Sequence, residues 1–170
     1  MNTGQMLFAI GALTLLSFIV LRVNSNILYS DIVLQDSKDG ILANSVGVSL
    51  MEKATRKFFD ENTMTGPVPI GNLTNIVKLG AETGETNPDT FDDFDDFNNY
   101  AEQDTFYGSI VFYSNCKVCY VEPANPDAAS NQRTWHKKLT ITTYSRSING
   151  AVEPTDTFTL STIYSYWYFQ

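Results

Sequence analysis

Polar side chains almost vanish between Met6 and Leu21. The run reads MLFAIGALTLLSFIVL, carries no charge, and has only Thr14 and Ser17 as polar side chains. With Gln5 before it and Val23 beyond Arg22, it approaches the roughly 20 residues that a membrane-spanning helix needs. A helix on the surface of a soluble domain shows a polar face at its own period, and this run shows none. The segment therefore sits in lipid, is removed as a secretory signal, or is buried against copies of itself.

Beyond Arg22 the pattern changes. Ile27, Leu34, Ile41 and Val48 fall at seven-residue spacing, and Val46, Leu50, Ala54 and Phe58 continue at four-residue spacing. Asp31, Asp36, Lys38, Asp39, Glu52, Lys53, Arg56 and Lys57 lie between them. This spacing predicts an amphipathic helix running to about Asp60. No proline intervenes before Pro67, so the two parts form one predicted rod from about Gln5 to Asp60, roughly 80 Å long. Gly40 and Gly47 each lower helix stability by up to about 1 kcal/mol and mark sites where the rod can bend.

Residues 62–90 are rich in glycine and proline and read as a connection with at most a short strand at Asn75–Leu79. After it, Ser109–Tyr113, Lys117–Glu122, Lys138–Arg146 and Thr157–Phe169 are rich in Val, Ile, Thr, Tyr and Phe and read as strands. In the last, alternation puts Phe158, Leu160, Thr162, Tyr164, Tyr166 and Tyr168 on one face. Thr159, Ser161, Ile163, Ser165 and Trp167 take the other. Pro123 to Asn131 and Asn149 to Pro154 read as turns. The predicted fold is α+β, with a long hydrophobic-then-amphipathic helix packed on a small antiparallel sheet. Three segments follow: 1–25 hydrophobic, 26–61 amphipathic, and 62–170 a β-rich head whose sheet lies on the helix from Asn44 to Phe59.

Charge and composition narrow the function. A net charge of -8 argues against a protein that grips nucleic-acid phosphates. Two cysteines and one histidine leave little material for a zinc site or a nucleophile–base pair. The expectation is a structural or binding protein without enzymatic activity.

Two segments hold candidate chemistry. In FDDFDDFNNY, Phe91, Phe94, Phe97 and Tyr100 recur every three residues, which puts the aromatics along one side of a helical or 3₁₀ turn. Asp92, Asp93, Asp95 and Asp96 then share the opposite face, either as a solvated acidic strip or as oxygen ligands for Ca²⁺. No other cofactor is expected. Cys116-Lys117-Val118-Cys119 lies among strand-like residues rather than at a helix start, which disfavours redox chemistry. A structural disulfide Cys116–Cys119, formed outside the cytoplasm and requiring a turn at Asn115–Val118, is the expected state. His136 reads as a surface or strand-edge residue. Asn72-Leu73-Thr74 fits the N-glycosylation acceptor pattern.

The layout of residues 1–30 resembles type IV pilins, pseudopilins and their archaeal filament relatives. Gly4 followed by Gln5 and a hydrophobic run looks like the processing site of a short prepilin leader, although MNTG carries no basic residue. The family's mature fifth position usually holds a glutamate. Cleavage after Gly4 puts Ala9 there, and a chain starting at Met1 puts Gln5 there, so the carboxylate is missing either way. The resemblance implies a subunit inserted in the cytoplasmic membrane, handled by inner-membrane assembly machinery, and polymerised with copies of itself into an extracellular helical filament at the cell surface. Its core would hold Gln5, Met6, Leu7, Phe8, Ile10, Leu13, Leu15, Leu16, Phe18, Ile19, Val20 and Leu21. The alternative is a membrane-anchored or secreted binding module, with a Ca²⁺-stabilised head as one form of it. No nucleic-acid partner is expected in either case.

Overall fold

The computed structural model describes residues 2–106, 110–146 and 157–166. Among these residues one α-helix, α1 (Thr3–Thr55), is followed by four short 3₁₀ turns and five strands. The strands are β1 (Ala101–Phe106), β2 (Ile110–Glu122), β3 (Asn125–Ala129), β4 (His136–Arg146) and β5 (Thr157–Ser165). Two compact units divide the chain, Met1–Asp39 and Gly40–Gln170. The first holds the apolar part of α1. The second holds the rest of the helix and the whole sheet, and is α+β as the hydrophobic pattern predicts.

The sheet is antiparallel throughout, in the order β1-β2-β4-β5, with β3 paired to the end of β2. Period-two alternation on β2 turns Phe112, Ser114, Cys116, Val118 and Tyr120 inward, and on β4 it does the same for Lys137, Leu139, Ile141 and Thr143. Leu50 and Ala54 of α1 meet Cys116, Val118, Leu139 and Ile141, with Phe91, Phe94 and Phe97 closing the same core. A second cluster joins Phe59, Leu73, Leu79 and Tyr120. The buried hydroxyls Ser114 Oγ and Thr143 Oγ1 lie 3.0 Å apart and satisfy each other across β2 and β4.

Several expectations are corrected by this arrangement. α1 stops at Thr55 rather than Asp60, because the chain beyond it pairs with the acidic segment. The Phe58 amide donates to the Asp92 carbonyl (3.1 Å), and the Phe94 amide donates to the Phe58 carbonyl (2.9 Å). Phe58 is consequently exposed and Phe59 buried. The face of α1 turned to the sheet is Ala43, Val46, Gly47, Leu50 and Ala54, while Ile41 at 71% and Val48 at 38% exposure face away. The four-residue series therefore marks the core face through Val46, Leu50 and Ala54 but not at Phe58, and the seven-residue series does not mark it at Ile41 or Val48. Asn75–Leu79 is not a strand. Ile76–Lys78 forms a 3₁₀ turn, with the Asn75 side chain accepting from the Val77 amide (3.2 Å).

The two strands expected around Cys116 are one continuous strand, and residues 101–106 add a β1 that charge and short length concealed. Part of the expected turn at Pro123–Asn131 forms β3. On β5, Phe158, Leu160, Thr162, Tyr164 and Tyr166 are half-buried, whereas Thr159, Ser161 and Ile163 are exposed, as alternation predicts. The expected turn at Asn149–Pro154, residue Ser109, and Trp167 to Phe169 lie outside the described residues. Gly47 packs against β5: a Cβ there would stand 2.7 Å from Leu160 Cδ1, so a larger residue would have to displace the Leu160 side chain.

Candidate functional site

The apolar part of α1 is long and hydrophobic enough to cross a membrane, and none of it is buried. Leu7, Phe8 and Phe18 are 75%, 85% and 73% exposed, and Met6, Ile10, Leu13, Leu15, Leu16, Ile19, Val20 and Leu21 are exposed beside them. Gly4 and Gln5 lie in the first turns of the same helix, also exposed. The few polar side chains cancel themselves. Thr14 Oγ1 donates to the Gly11 carbonyl (2.8 Å), Ser17 Oγ to Leu13 (2.9 Å) and Ser25 Oγ to Leu21 (2.9 Å). With their hydroxyls bonded to the helix backbone, these residues are compatible with surroundings that offer no hydrogen bonds. Leu13, Thr14, Ser17, Phe18 and Leu21 line a shallow, mainly apolar groove. Apolar exposure extends past the predicted span through Ile27, Leu28, Tyr29, Ile32, Val33 and Leu34.

The acidic segment is folded inward. Phe91, Phe94 and Phe97 are buried as expected, but so are Asp93, Asp95 and Asp96, each 1% exposed. It is therefore not a solvated acidic face. Asp93 Oδ1 accepts from the Asp95 (2.7 Å) and Asp96 (3.3 Å) amides, while Asp96 Oδ2 accepts from Asp92 (2.9 Å) and Asp93 (3.0 Å). These bonds replace backbone partners that so tight a turn cannot supply. Asp95 points elsewhere, to Lys137. Burial and then the Asp95 charge push the Asp93 carboxyl up to about 9.

The four aspartates consequently do not converge as a single ligand set. Carboxylate oxygens do converge at Glu82, Glu85 and Asp96, one from each lying within 4.8 Å of the others. Withdrawal of its carboxyl from water, then hydrogen bonding to Glu85 and the Asp96 charge, push Glu82 up to about 8. Such a trio can share a proton or hold a hard divalent cation. Only Asp96 belongs to the set expected from sequence. Glu82 and Glu85 lie in the connection and carry no spacing that marks them.

The Cys116–Cys119 disulfide is overturned. Both thiols are free, and the strand runs straight through the expected turn at Asn115–Val118. Residues three apart on a strand point to opposite faces, so Cys116 enters the core and Cys119 does not. Burial, then the Glu102 charge, pushes the Cys116 thiol up to about 12, which makes it a poor nucleophile. His136 opens β4 half-buried, with Nδ1 2.7 Å from Ser165 Oγ. Asn72 is exposed, while the Thr74 hydroxyl donates to Asp60 Oδ1 (3.1 Å).

Sequence reasoning missed a fully enclosed cation. Lys137 is fully buried and bonded to Asp60 and Asp95. Counting back by two from Leu139 and Ile141 would have found it facing inward. Asp60 was legible too, as the first residue of Asp60-Glu61-Asn62-Thr63. There the Asp60 carboxylate accepts from the Asn62 amide (3.1 Å), and the Thr63 hydroxyl accepts from the Asp60 amide (3.2 Å).

A long apolar helix leading into a small antiparallel sheet is compatible with pilin-like architecture. Comparison with protein-family models, with curated proteins and with solved structures finds no match in any of the three.

Proposed function

We propose that the chain is a non-enzymatic structural subunit of an extracellular, type IV pilus-like helical filament, held in the cytoplasmic membrane before assembly. One observation carries this reading. The helix exposes a continuous apolar surface from Met6 to Leu21, and its hydroxyls at Thr14 and Ser17 are bonded to its own backbone. Such a surface suits lipid in the monomer and neighbouring copies in a polymer. Exchanging one for the other costs little, because neither environment offers or demands polar partners. Identical subunits making contacts that do not close into a ring grow as a helix.

The test is Leu16→Asp. A carboxylate in an apolar bundle has no partner, so the substitution abolishes polymers while the head stays folded. Negative-stain microscopy of sheared surface material reads the polymer, and circular dichroism of the purified subunit reads the head. Filaments at normal yield would refute burial of this face.

A second reading is a membrane-anchored binding module with a cation-stabilised head. The convergence of Glu82, Glu85 and Asp96 favours it. Calorimetric titration with Ca²⁺, silenced by Glu85→Gln, would support it, whereas no heat and no shift in melting temperature would remove it.

A further inference from the structure

Lys137 lies on the inward face of β4, opposite Tyr120 of β2 and Tyr164 of β5. It is 0% exposed, as is Asp60, and Asp95 is 1% exposed. Its Nζ donates to the Phe59 carbonyl (2.7 Å), to Asp60 Oδ2 (2.9 Å) and to Asp95 Oδ1. The Phe59 and Tyr120 rings stand with centroids 4.7 and 5.4 Å from Nζ. One amine thus touches two carboxyl groups in an enclosure walled by aromatic rings.

The two carboxyl groups are not equivalent. Asp60 also accepts from the Asn62 and Thr74 amides, the Thr74 hydroxyl and the Tyr120 hydroxyl, at 2.9 to 3.2 Å. That donor set fits a carboxylate. Among the described residues no backbone amide, serine, threonine or tyrosine donates to Asp95, which meets Lys137 and the Asp93 carboxyl. With one cation in the enclosure, a proton on Asp95 makes the trio neutral overall.

We propose that Lys137 and Asp95 condense into an intramolecular isopeptide bond, with Asp60 as the proton acceptor. The Lys137 ammonium passes one proton to Asp60 Oδ2, and the freed lone pair attacks Cγ of the neutral Asp95 acid. The Nζ–Cγ bond forms and the Cγ–OH bond breaks. The hydroxyl leaves with a second amine proton as water, the third proton remains on the amide nitrogen, and Asp60 ends protonated. No oxidant or co-reactant is required. The step exchanges a buried ion pair for a neutral amide and a neutral acid, removing charges that a dry interior disfavours. Reactants held in contact by the fold gain a large effective concentration. Excluded water slows the reverse reaction.

The test does not depend on the filament reading. The full-length chain, purified in detergent and then denatured, is expected to be one water lighter than the mass its sequence and determined N-terminus require. Proteolysis is expected to release a branched peptide joining the Lys137 segment to the Asp95 segment, with no tryptic cleavage after Lys137. Asp95→Asn is expected to give the same branched product by losing ammonia. Asp60→Asn or Asp95→Ala is expected to give linear peptides only. If the wild-type chain yields linear peptides whose Lys137 amine is freely labelled after denaturation, the trio is an ion cluster and the proposal fails. A loss of water without the branched peptide, or a branch at Asp60, refutes it equally. The wild-type spectrum decides even if a variant fails to fold.

Discussion

Asp93 shows how one side chain makes the head sensitive to alkali. Its Oδ1 is committed to two turn amides, while Oδ2 is buried and accepts no hydrogen bond from the described residues. Its folded pKa is raised from 3.8 to about 9, so the folded chain holds a proton that the unfolded chain has released. The stability this supplies is complete below 3.8 and is lost as pH rises through about 9, at no more than about 1.4 kcal/mol per pH unit. While Lys137 is still a free ammonium, Asp60 works in the opposite sense, since its lowered pKa gives stability that is lost only as acid protonates it. Asp93→Asn keeps the Oδ1 acceptor and removes the proton. Urea unfolding across this range is therefore expected to show a flatter profile for Asp93→Asn, with the variant overtaking wild type at alkaline pH. A profile parallel to wild type would mean that Asp93 is ionised in the folded head.

At the level of elements, the hydrophobic pattern carried the buried end of the helix and most of the sheet, because burial is what imposes their periods. The apolar start of α1, none of it buried, was legible by composition. β5 shows this well, since its residues alternate between exposed and half-buried from Thr157 to Tyr164, and only Ser165, which meets His136, departs from the expected face. The misses have equally physical origins. The 3₁₀ turn at Ile76–Lys78 is held by an Asn75 cap rather than by an apolar stripe. β1 reads AEQDTF, and its place comes from pairing with β2 from Ala101↔Asn115 to Phe106↔Ile110, which local composition does not encode. The acidic segment announced its aromatics but not the direction of its carboxylates, because their partners lie far along the chain. By helix propensity Gly47 is a weak point in α1, but its small size matters for the neighbouring β5. Gly47→Val would drive methyl groups into Leu160 and toward Thr143 Oγ1, and is expected to destabilise the head by about 1–3 kcal/mol. Chemical denaturation checks this, and an unchanged midpoint would show that β5 can yield.

At the scale of the whole molecule, the division at Asp39 and Gly40 separates an apolar helix from a unit with its own core. Residues 40–170 hold both buried clusters and all five strands. That segment expressed alone is expected to fold cooperatively and to remain monomeric, as checked by circular dichroism and light scattering. Polymers from it would move the assembly surface into the head. In the proposed filament, the apolar helix would have little intrinsic means of fixing its register, because the hydroxyls of Thr14, Ser17 and Ser25 are spent on its own carbonyls. Shape must set register, so swaps that conserve volume in the groove at Leu13, Phe18 and Leu21 should be tolerated far better than additions of bulk.

The enclosure around Lys137 has a consequence in time. Its bonds reach 77 residues back to Asp60 and 42 back to Asp95. Contacts of that separation are entropically expensive to form early, and a half-built enclosure would strand a dehydrated ammonium beside too few acceptors. The chain gains most by keeping Lys137 hydrated until the end of α1, the acidic turn and β4 have all met. Expulsion of water from Lys137 should then follow the rate-limiting step of folding. Conservative changes at this position should accelerate unfolding while leaving the folding rate nearly untouched.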